Sequence, residues 1–165
     1  MMHVRPATGA DVTLWRRLRR DGIARYPSAF IATLAEADAM PETNDAARLA
    51  HGDRFLAFDD ATPVGLAGLN RMTLPRAAHR AEVGPFYVVP EALGSSAATL
   101  LMDAVIAYAS EIGVWQLELT VNEANSRAAR FYQRFGFRQT GRIPNAILGE
   151  DGPEHDLVLV LELPD

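Results

Sequence analysis

The stretch LTVNEANSRAARFYQRFGF, residues 119–137, decides the fold of this chain. Its first residues alternate apolar and polar side chains, as at the end of a strand, and a helix is predicted to begin at Asn125. Gly136 ends that helix, because glycine is a common stop signal, and Phe137 starts another strand. The stretch therefore predicts a strand, a helix and a strand in direct succession.

One side chain of this helix, Tyr132, could serve either packing or chemistry. Apolar or small residues recur at helical spacing at Ala128, Ala129, Phe131, Tyr132 and Phe135. Tyr132 belongs to this inner stripe. A phenol held there is either an aromatic packing residue of the core or a proton donor.

Length and composition limit the class of protein. The chain has 165 residues and no cysteine. This length predicts a single domain over residues 1–165, with a core that needs neither disulfides nor a metal. Cysteine nucleophiles are excluded, and a reducing compartment is expected. The opening residues lack the layout of a signal peptide, and no apolar run approaches the roughly twenty residues that span a bilayer. We therefore expect a soluble cytoplasmic protein with no membrane partner.

The charge pattern argues against nucleic acid as a partner. The formal net charge is −5, with 21 acidic residues and 16 basic residues, all of them arginine. The densest basic run is Arg16, Arg17, Arg19 and Arg20, which we expect to form the solvated face of a helix. The surplus of carboxylates favours a cationic substrate such as an amine.

The rest of the chain predicts a mixed sheet. The predicted strands cover residues 3–6, 54–59, 64–72, 82–89, 115–121, 137–140 and 157–163. A first helix is predicted to run to about residue 23, and further helices are predicted over residues 35–39, 46–50, 95–112 and 125–135. A turn is predicted at 149–153. This order predicts an α/β (α+β) fold with a mixed, mostly antiparallel central sheet and helices on both faces.

The third strand of the meander contains Gly84 and Pro85. Proline cannot donate a hydrogen bond to a neighbouring strand, so a bulge or a splayed edge is expected there. Such an irregularity is a place where a ligand could reach the backbone.

With these elements in place, the chain resembles the GNAT family of N-acetyltransferases over nearly its whole length. The strongest likeness is Asn125-x-x-Ala128-x-x-Phe131-Tyr132-x-x-x-Gly136-Phe137 after a strand, and EVGPFYVVPE at residues 82–91 is also typical. The resemblance implies a GNAT-like fold and acetyl-CoA as the acetyl donor. It also makes a homodimer possible, because pairing through the terminal strands is common in the family.

The resemblance assigns a loop that binds the acyl-CoA pyrophosphate to Leu93, Gly94, Ser95, Ser96, Ala97 and Ala98. The family usually has arginine or glutamine where Leu93 stands, and glycine where Ser96 stands. Backbone N–H groups at a helix N-terminus remain available if the backbone path is kept. Cofactor binding is therefore expected to be weakened rather than abolished, unless Ser96 blocks the close approach of the diphosphate.

Further cofactor contacts follow from the same resemblance. The backbone of Phe86, Tyr87 and Val88 is implied to bind the pantetheine and the thioester carbonyl. Asn125 is implied to hydrogen-bond the pantetheine. Arg127, together with Arg130 and Arg134, could contact the phosphates in place of the missing loop cation; each could equally be a solvated helix residue.

For catalysis, Tyr132 resembles the family's general acid, which protonates the leaving CoA thiolate. An alkylammonium, whose pKa lies near 10, must lose a proton before it attacks a thioester, so a base is needed. Glu82 lies eleven residues before Leu93, the offset of the base glutamate in histone-acetylating members. The alternatives are that Glu82 only faces solvent, and that His79 or His155 is the base.

These features imply direct transfer of an acetyl group from acetyl-CoA to a primary amine of a small molecule or peptide. The altered loop leaves an alternative, a non-catalytic acyl-CoA-binding or regulatory module. A domain that has lost the cofactor is a third interpretation.

Overall fold

The computed structural model describes residues 1–164, which form seven strands and five α-helices. The strands are β1 (Met2–Pro6), β2 (Arg54–Asp59), β3 (Thr62–Arg71), β4 (Arg80–Val88), β5 (Gln116–Asn122), β6 (Arg138–Gly149) and β7 (Gly152–Glu162). The α-helices are α1 (Val12–Arg25), α2 (Leu34–Ala39), α3 (Glu42–Leu49), α4 (Ala97–Glu111) and α5 (Ser126–Arg134). None of the helices within residues 1–164 has the length and apolar character needed to span a bilayer.

The strands form one sheet in the order β1-β2-β3-β4-β5-β7-β6. All neighbouring strands are antiparallel except β4 and β5, which are parallel. The predicted mixed, mostly antiparallel sheet is therefore confirmed. The single parallel pair lies at its centre.

Both faces of the sheet are covered by helices. Along β2, Phe55 and Ala57 belong to one apolar core, whereas Leu56 and Phe58 belong to another. This alternation is the two-residue period of a strand. The first core contains residues of α4 and α5, and the second contains residues of α1 and α3. We call these two sides of the sheet the α4/α5 face and the α1/α3 face.

The terminal hairpin is longer than predicted. Strands expected over 137–140 and 157–163 extend as β6 and β7 to a turn whose flanking residues are Gly149 and Gly152. The predicted turn is confirmed, but the predicted strand lengths are wrong. The pairing register shifts between Gln139 and Gly141 and again between Ile143 and Ile147. These irregularities hide the two-residue period that identifies a strand.

The arginine run on α1 is only partly a solvated face. Arg17 and Arg20 are exposed, but Arg16 and Arg19 are half-buried. Both donate hydrogen bonds to Asp45 of α3, at 2.6 Å from Arg16 and at 3.0 and 3.1 Å from Arg19. The expectation was therefore wrong for two of the four arginines, which join α1 to α3.

The end of α5 depends on Gly136. This residue has a φ of +102°, a conformation that costs other L-residues roughly 1–2 kcal/mol. The following N–H, of Phe137, donates to the Tyr132 carbonyl at 3.2 Å, as expected where a left-handed residue ends a helix.

We predict that Gly136→Ala lowers the free energy of unfolding by about 1–2 kcal/mol. The added Cβ would also lie 3.3 Å from Leu161 Cδ1. Urea denaturation measures the change, and Gln133→Ala, at an exposed position of the same helix, should stay within about 0.5 kcal/mol of the parent chain. Equal stability of the two variants would contradict the conclusion that the end of α5 depends on the backbone conformation of Gly136.

Candidate active site

A gap opens in the sheet where β4 and β5 separate. The two strands pair at only three positions, the last of which joins Glu82 to Glu118. Beyond it β5 continues to pair with β7 as far as Asn122 and Asp156. The backbone groups of β4 that face β5 therefore have no strand partner after Glu82.

The gap coincides with the predicted bulge at Gly84 and Pro85. On the other edge of β4, Leu69 pairs with Val83 but Ala67 pairs with Phe86, so the register shifts across these residues. The predicted irregularity is confirmed. It rotates the following backbone of β4 relative to the first half of the strand.

Asn70 of β3 fixes the carbonyl at the bulge. Its Nδ2 donates to the Gly84 carbonyl oxygen at 2.9 Å. Its Oδ1 accepts hydrogen bonds from Arg54 at 2.6 Å and from Arg48 at 3.0 Å. A single amide thus connects the bulge to two cationic side chains on the α1/α3 face.

A cavity of about 380 Å³ lies at the gap. Its wall combines β4, the loop before α4, the first turn of α4 and α5. The expected cofactor residues that line it are Phe86, Tyr87, Val88, Leu93, Gly94, Ser95, Ala98, Asn125, Arg127 and Tyr132. Residues that sequence reasoning missed also line it, among them Tyr26, Phe30 and Thr99. Tyr26 and Phe30 follow α1 without a periodic pattern, so no sequence signal placed them here.

The other expected loop residues contribute no side chain to this wall. Ser96 is exposed, and Ala97 is fully buried in the core. Ser96 has φ −79° and ψ 0°, a conformation open to any residue, so the backbone does not require glycine there. Gly94 does adopt a φ of +84°, in the region that glycine favours.

The first turn of α4 presents backbone donors to this wall. The first N–H groups of a helix have no acceptor within it. One of them, that of Ala97, donates to Ser95 Oγ at 3.2 Å. Ala98 and Thr99 follow on the cavity side. Donors of this kind, together with the helix dipole, suit an anionic group.

Two arginines add positive charge at the rim. Arg127 and Arg134 of α5 line the cavity and are exposed. Neither makes an ion pair with a carboxylate among residues 1–164. Arg130, on the same helix, is exposed but lies outside the cavity wall. Two of the three arginines considered are therefore positioned to contact an anion in the cavity.

Tyr132 lies on the cavity wall among aromatic rings. Asn125 caps α5 by accepting a hydrogen bond from the Ala128 N–H at 3.1 Å. One face of the helix then places the Tyr132 ring edge-on to Phe86, at 6.0 Å between centroids, and to Phe137, at 5.7 Å. Burial raises the pKa of Tyr132, so its hydroxyl stays protonated at neutral pH and can act as a proton donor.

Tyr87 reaches the cavity from another direction. Its hydroxyl donates to Asp21 of α1 at 2.5 Å. Burial and this hydrogen bond raise the pKa of Tyr87. This hydrogen bond holds the Tyr87 hydroxyl at α1. The ring and backbone of Tyr87 therefore line the cavity, but its hydroxyl is not free to contact a ligand there.

Glu82 does not share the cavity with Tyr132. It is exposed, and its neighbours Ala81 and Val83 both belong to the α4/α5 core. Strand alternation therefore places the Glu82 side chain on the α1/α3 face. The two expected catalytic residues flank the gap from opposite faces of the sheet.

The side chains of the two alternative bases are engaged in structural contacts. His79 stacks on Trp115 at 4.6 Å between ring centroids. His155 Nδ1 accepts the Asn145 N–H at 2.9 Å, within the terminal hairpin.

A carboxylate that sequence reasoning missed, Asp156, lies on β7, on the far side of β5 from the gap. It pairs with Asn122 at the end of β5. Burial raises the pKa of Asp156, although a hydrogen bond from Thr120 opposes the shift. Asp156 stands one residue before the strand predicted at 157–163, in a segment whose strand character sequence reasoning did not detect.

Similarity to solved structures supports the fold. The chain aligns over its full length with 95% of the yncA protein of Salmonella typhimurium, described as an acetyltransferase and solved with acetyl-CoA, at a TM-score of 0.85 and 16% identity. The chain also aligns over 99% of its length with 99% of an N-acetyltransferase from Staphylococcus aureus, at a TM-score of 0.82 and 21% identity.

Sequence comparisons identify the family. An uncharacterized N-acetyltransferase of Mycobacterium bovis is 37% identical over 82 residues, 50% of this chain and 51% of that protein, and a Mycobacterium tuberculosis relative matches equally. The matched segment thus spans about half the length of these curated relatives. Residues 15–137 match the Acetyltransferase (GNAT) family. The chain that builds this gap and its cavity therefore belongs to the GNAT acetyltransferase family.

Proposed function

We propose that the chain transfers an acetyl group from acetyl-CoA directly to a primary amine. The observation that carries the proposal is the composition of one cavity wall. Unpaired β4 backbone, the N-terminal turn of α4 and the protonated phenol of Tyr132 all line it. Its volume of about 380 Å³ lies within the roughly 300–1,000 Å³ that is usual for small-molecule sites.

Each part of the wall suits a different part of acetyl-CoA. The free edge of β4 can pair with the extended pantetheine, as a strand pairs with an added strand. The N-terminus of α4 and the guanidinium groups of Arg127 and Arg134 can hold phosphates. Backbone N–H groups near Phe86 can polarise the thioester carbonyl, and such donors depend on no particular side chain.

The two proton transfers take place on opposite faces of the sheet. Glu82, on the α1/α3 face, takes a proton from the acceptor ammonium directly or through a water. Tyr132, on the α4/α5 face, gives its proton to the sulfur of the departing thiolate. The acetyl group passes between them from sulfur to nitrogen, so that the S–C bond breaks, the N–C bond forms and free CoA is released. The nitrogen then loses its second proton, which returns through water to the Tyr132 phenolate, and Glu82 gives its proton to the solvent.

Two assays separate this proposal from its alternative. Calorimetry with acetyl-CoA measures binding, and the appearance of free CoA thiol with a panel of amines measures transfer. Binding together with amine-dependent thiol release is expected. Binding without release for every amine would favour an acyl-CoA-binding module, an alternative suggested by Leu93 at the usual position of a loop cation.

We predict that the double substitution Arg127→Ala and Arg134→Ala weakens CoA binding about ten-fold or more, because charge-assisted contacts to phosphate are lost. Binding of pantetheine, which has no phosphates, should be unchanged. Calorimetry with both ligands measures the difference, and Arg130→Ala is the matched control. Equal losses for CoA and pantetheine would contradict phosphate contact.

We predict that Tyr132→Phe lowers kcat about 100-fold while the Kd for acetyl-CoA changes by less than three-fold. The ring stays in place and only the proton donor is removed. Stopped-flow or steady-state thiol release measures kcat, and calorimetry measures Kd. Unchanged kcat would remove the role of general acid from Tyr132.

We predict that Glu82→Gln lowers kcat/KM about 100-fold at neutral pH. The defect should shrink as the pH approaches the amine's own pKa, near 10 for an alkylamine, because the amine then loses its proton without help. A pH profile of thiol release tests this. An equal defect at every pH would assign Glu82 a structural role, and a normal rate would remove the role of general base from Glu82.

A further inference from the structure

A second, smaller cavity lies behind the bulge on the α1/α3 face. It has a volume of about 110 Å³. Its wall includes Trp15, Arg19, Asp45, Arg48, Arg54 and Pro85. Three arginines from α1, α3 and β2 therefore surround a space that ends at the bulge of β4.

Positive charge exceeds negative charge around this cavity. Asp45 accepts from Arg16 and Arg19. Asp53 lies 2.9 Å from Arg48 and 3.5 Å from Arg54. Four arginines thus share two carboxylates, and two positive charges have no carboxylate of their own in this group.

One of the arginines has an unpaired polar atom, and another is a deeply buried cation. The Arg19 Nε is buried and has no hydrogen-bond partner among residues 1–164. The Arg54 side chain is only 8% exposed. Burial, and to a smaller extent the nearby charge of Arg48, lowers the pKa of Arg54 to about 10. The guanidinium group of Arg54 therefore still carries its charge at neutral pH. A buried cation of this kind is costly unless an anion compensates it.

The cavity lies within reach of the proposed site of transfer. Pro85 forms part of its wall and is also part of the bulge. Asn70, which accepts from Arg48 and Arg54, pairs with Glu82 on the neighbouring strand. Arg54 and Glu82 lie on β2 and β4, two strand spacings apart and offset by two residues in register, so their Cα atoms are roughly 12 Å apart.

We infer that this cavity binds an anionic group of the acceptor, and that the acceptor is a small amine that also carries an oxyacid group, such as a carboxylate. The anion contacts the guanidinium groups of Arg19, Arg48 and Arg54, while the amine reaches the gap beside Glu82. This inference rests on the proposed function, because it names the substrate class of the same site.

The test compares amino acids with their carboxamides in the thiol-release assay. The paired compounds share one skeleton and differ only in the negative charge, and aminophosphonates test whether another oxyanion serves as well. We expect kcat/KM to be at least ten-fold higher for the acids. Equal rates for acids and amides would overturn the inference while leaving acetyl transfer intact.

Substitutions locate the effect. Arg48→Gln should raise KM for the acids about ten-fold more than KM for the amides. Arg19→Lys keeps a positive charge for Asp45 but removes Nε, and should act in the same direction. Arg17→Gln, at an exposed position on α1 outside the cavity wall, is the matched control. Equal losses for acids and amides in Arg48→Gln would overturn the inference.

If no amine is acetylated, the proposed function is contradicted, but the anion site can still be tested by a binding assay. With CoA present to occupy the phosphate contacts of Arg127 and Arg134, inorganic phosphate should then raise the Tm of the parent chain and of Arg17→Gln. It should raise the Tm of Arg48→Gln much less. Equal shifts in all three proteins would overturn the anion site.

Discussion

The loss of pairing between β4 and β5 after Glu82 is the constraint on which the rest of the site depends. A parallel pair that lasts for only three positions leaves one edge of β4 with unpaired backbone donors and acceptors. Buried groups of this kind need partners. In this chain a cavity, rather than a strand, lies along that edge, and the ends of α4 and α5 converge on it.

Under the proposed function, the gap also divides the proton transfers between two faces of one sheet. Tyr132 approaches from the α4/α5 face, where aromatic packing keeps its hydroxyl protonated. Glu82 and Asp156 lie on the α1/α3 face. Asn70 connects this arrangement to the arginines of α3 and β2, because the same amide holds the Gly84 carbonyl and accepts from Arg48 and Arg54. The geometry of the bulge and the charge of the second cavity are therefore physically linked.

Local patterns predicted most of this fold. The strand, helix and strand of residues 119–137, the Asn125 cap and the irregularity at Gly84 and Pro85 each follow from residue types at fixed spacing. The length of the terminal hairpin could not be predicted, because two register shifts disrupt the alternation along β6.

The cavity wall was predictable only where a motif identifies its residues. The family pattern singled out Tyr132 and the loop before α4, and both line the cavity. The arginines of the second cavity were not predictable, because Arg19, Arg48 and Arg54 are far apart in the sequence and meet only after folding. The sequence around Arg16 and Arg19 is typical of a solvated helix face. Both side chains are half-buried because α3 places Asp45 against them.

Hydrogen exchange of the chain with and without acetyl-CoA tests the central claim most directly. If the gap between β4 and β5 receives the cofactor, bound acetyl-CoA should slow the exchange of backbone amides in residues 83–88 and in residues 94–99 at the start of α4. Amides of the terminal hairpin should exchange at unchanged rates. Tight binding that leaves residues 83–88 unprotected would contradict the account.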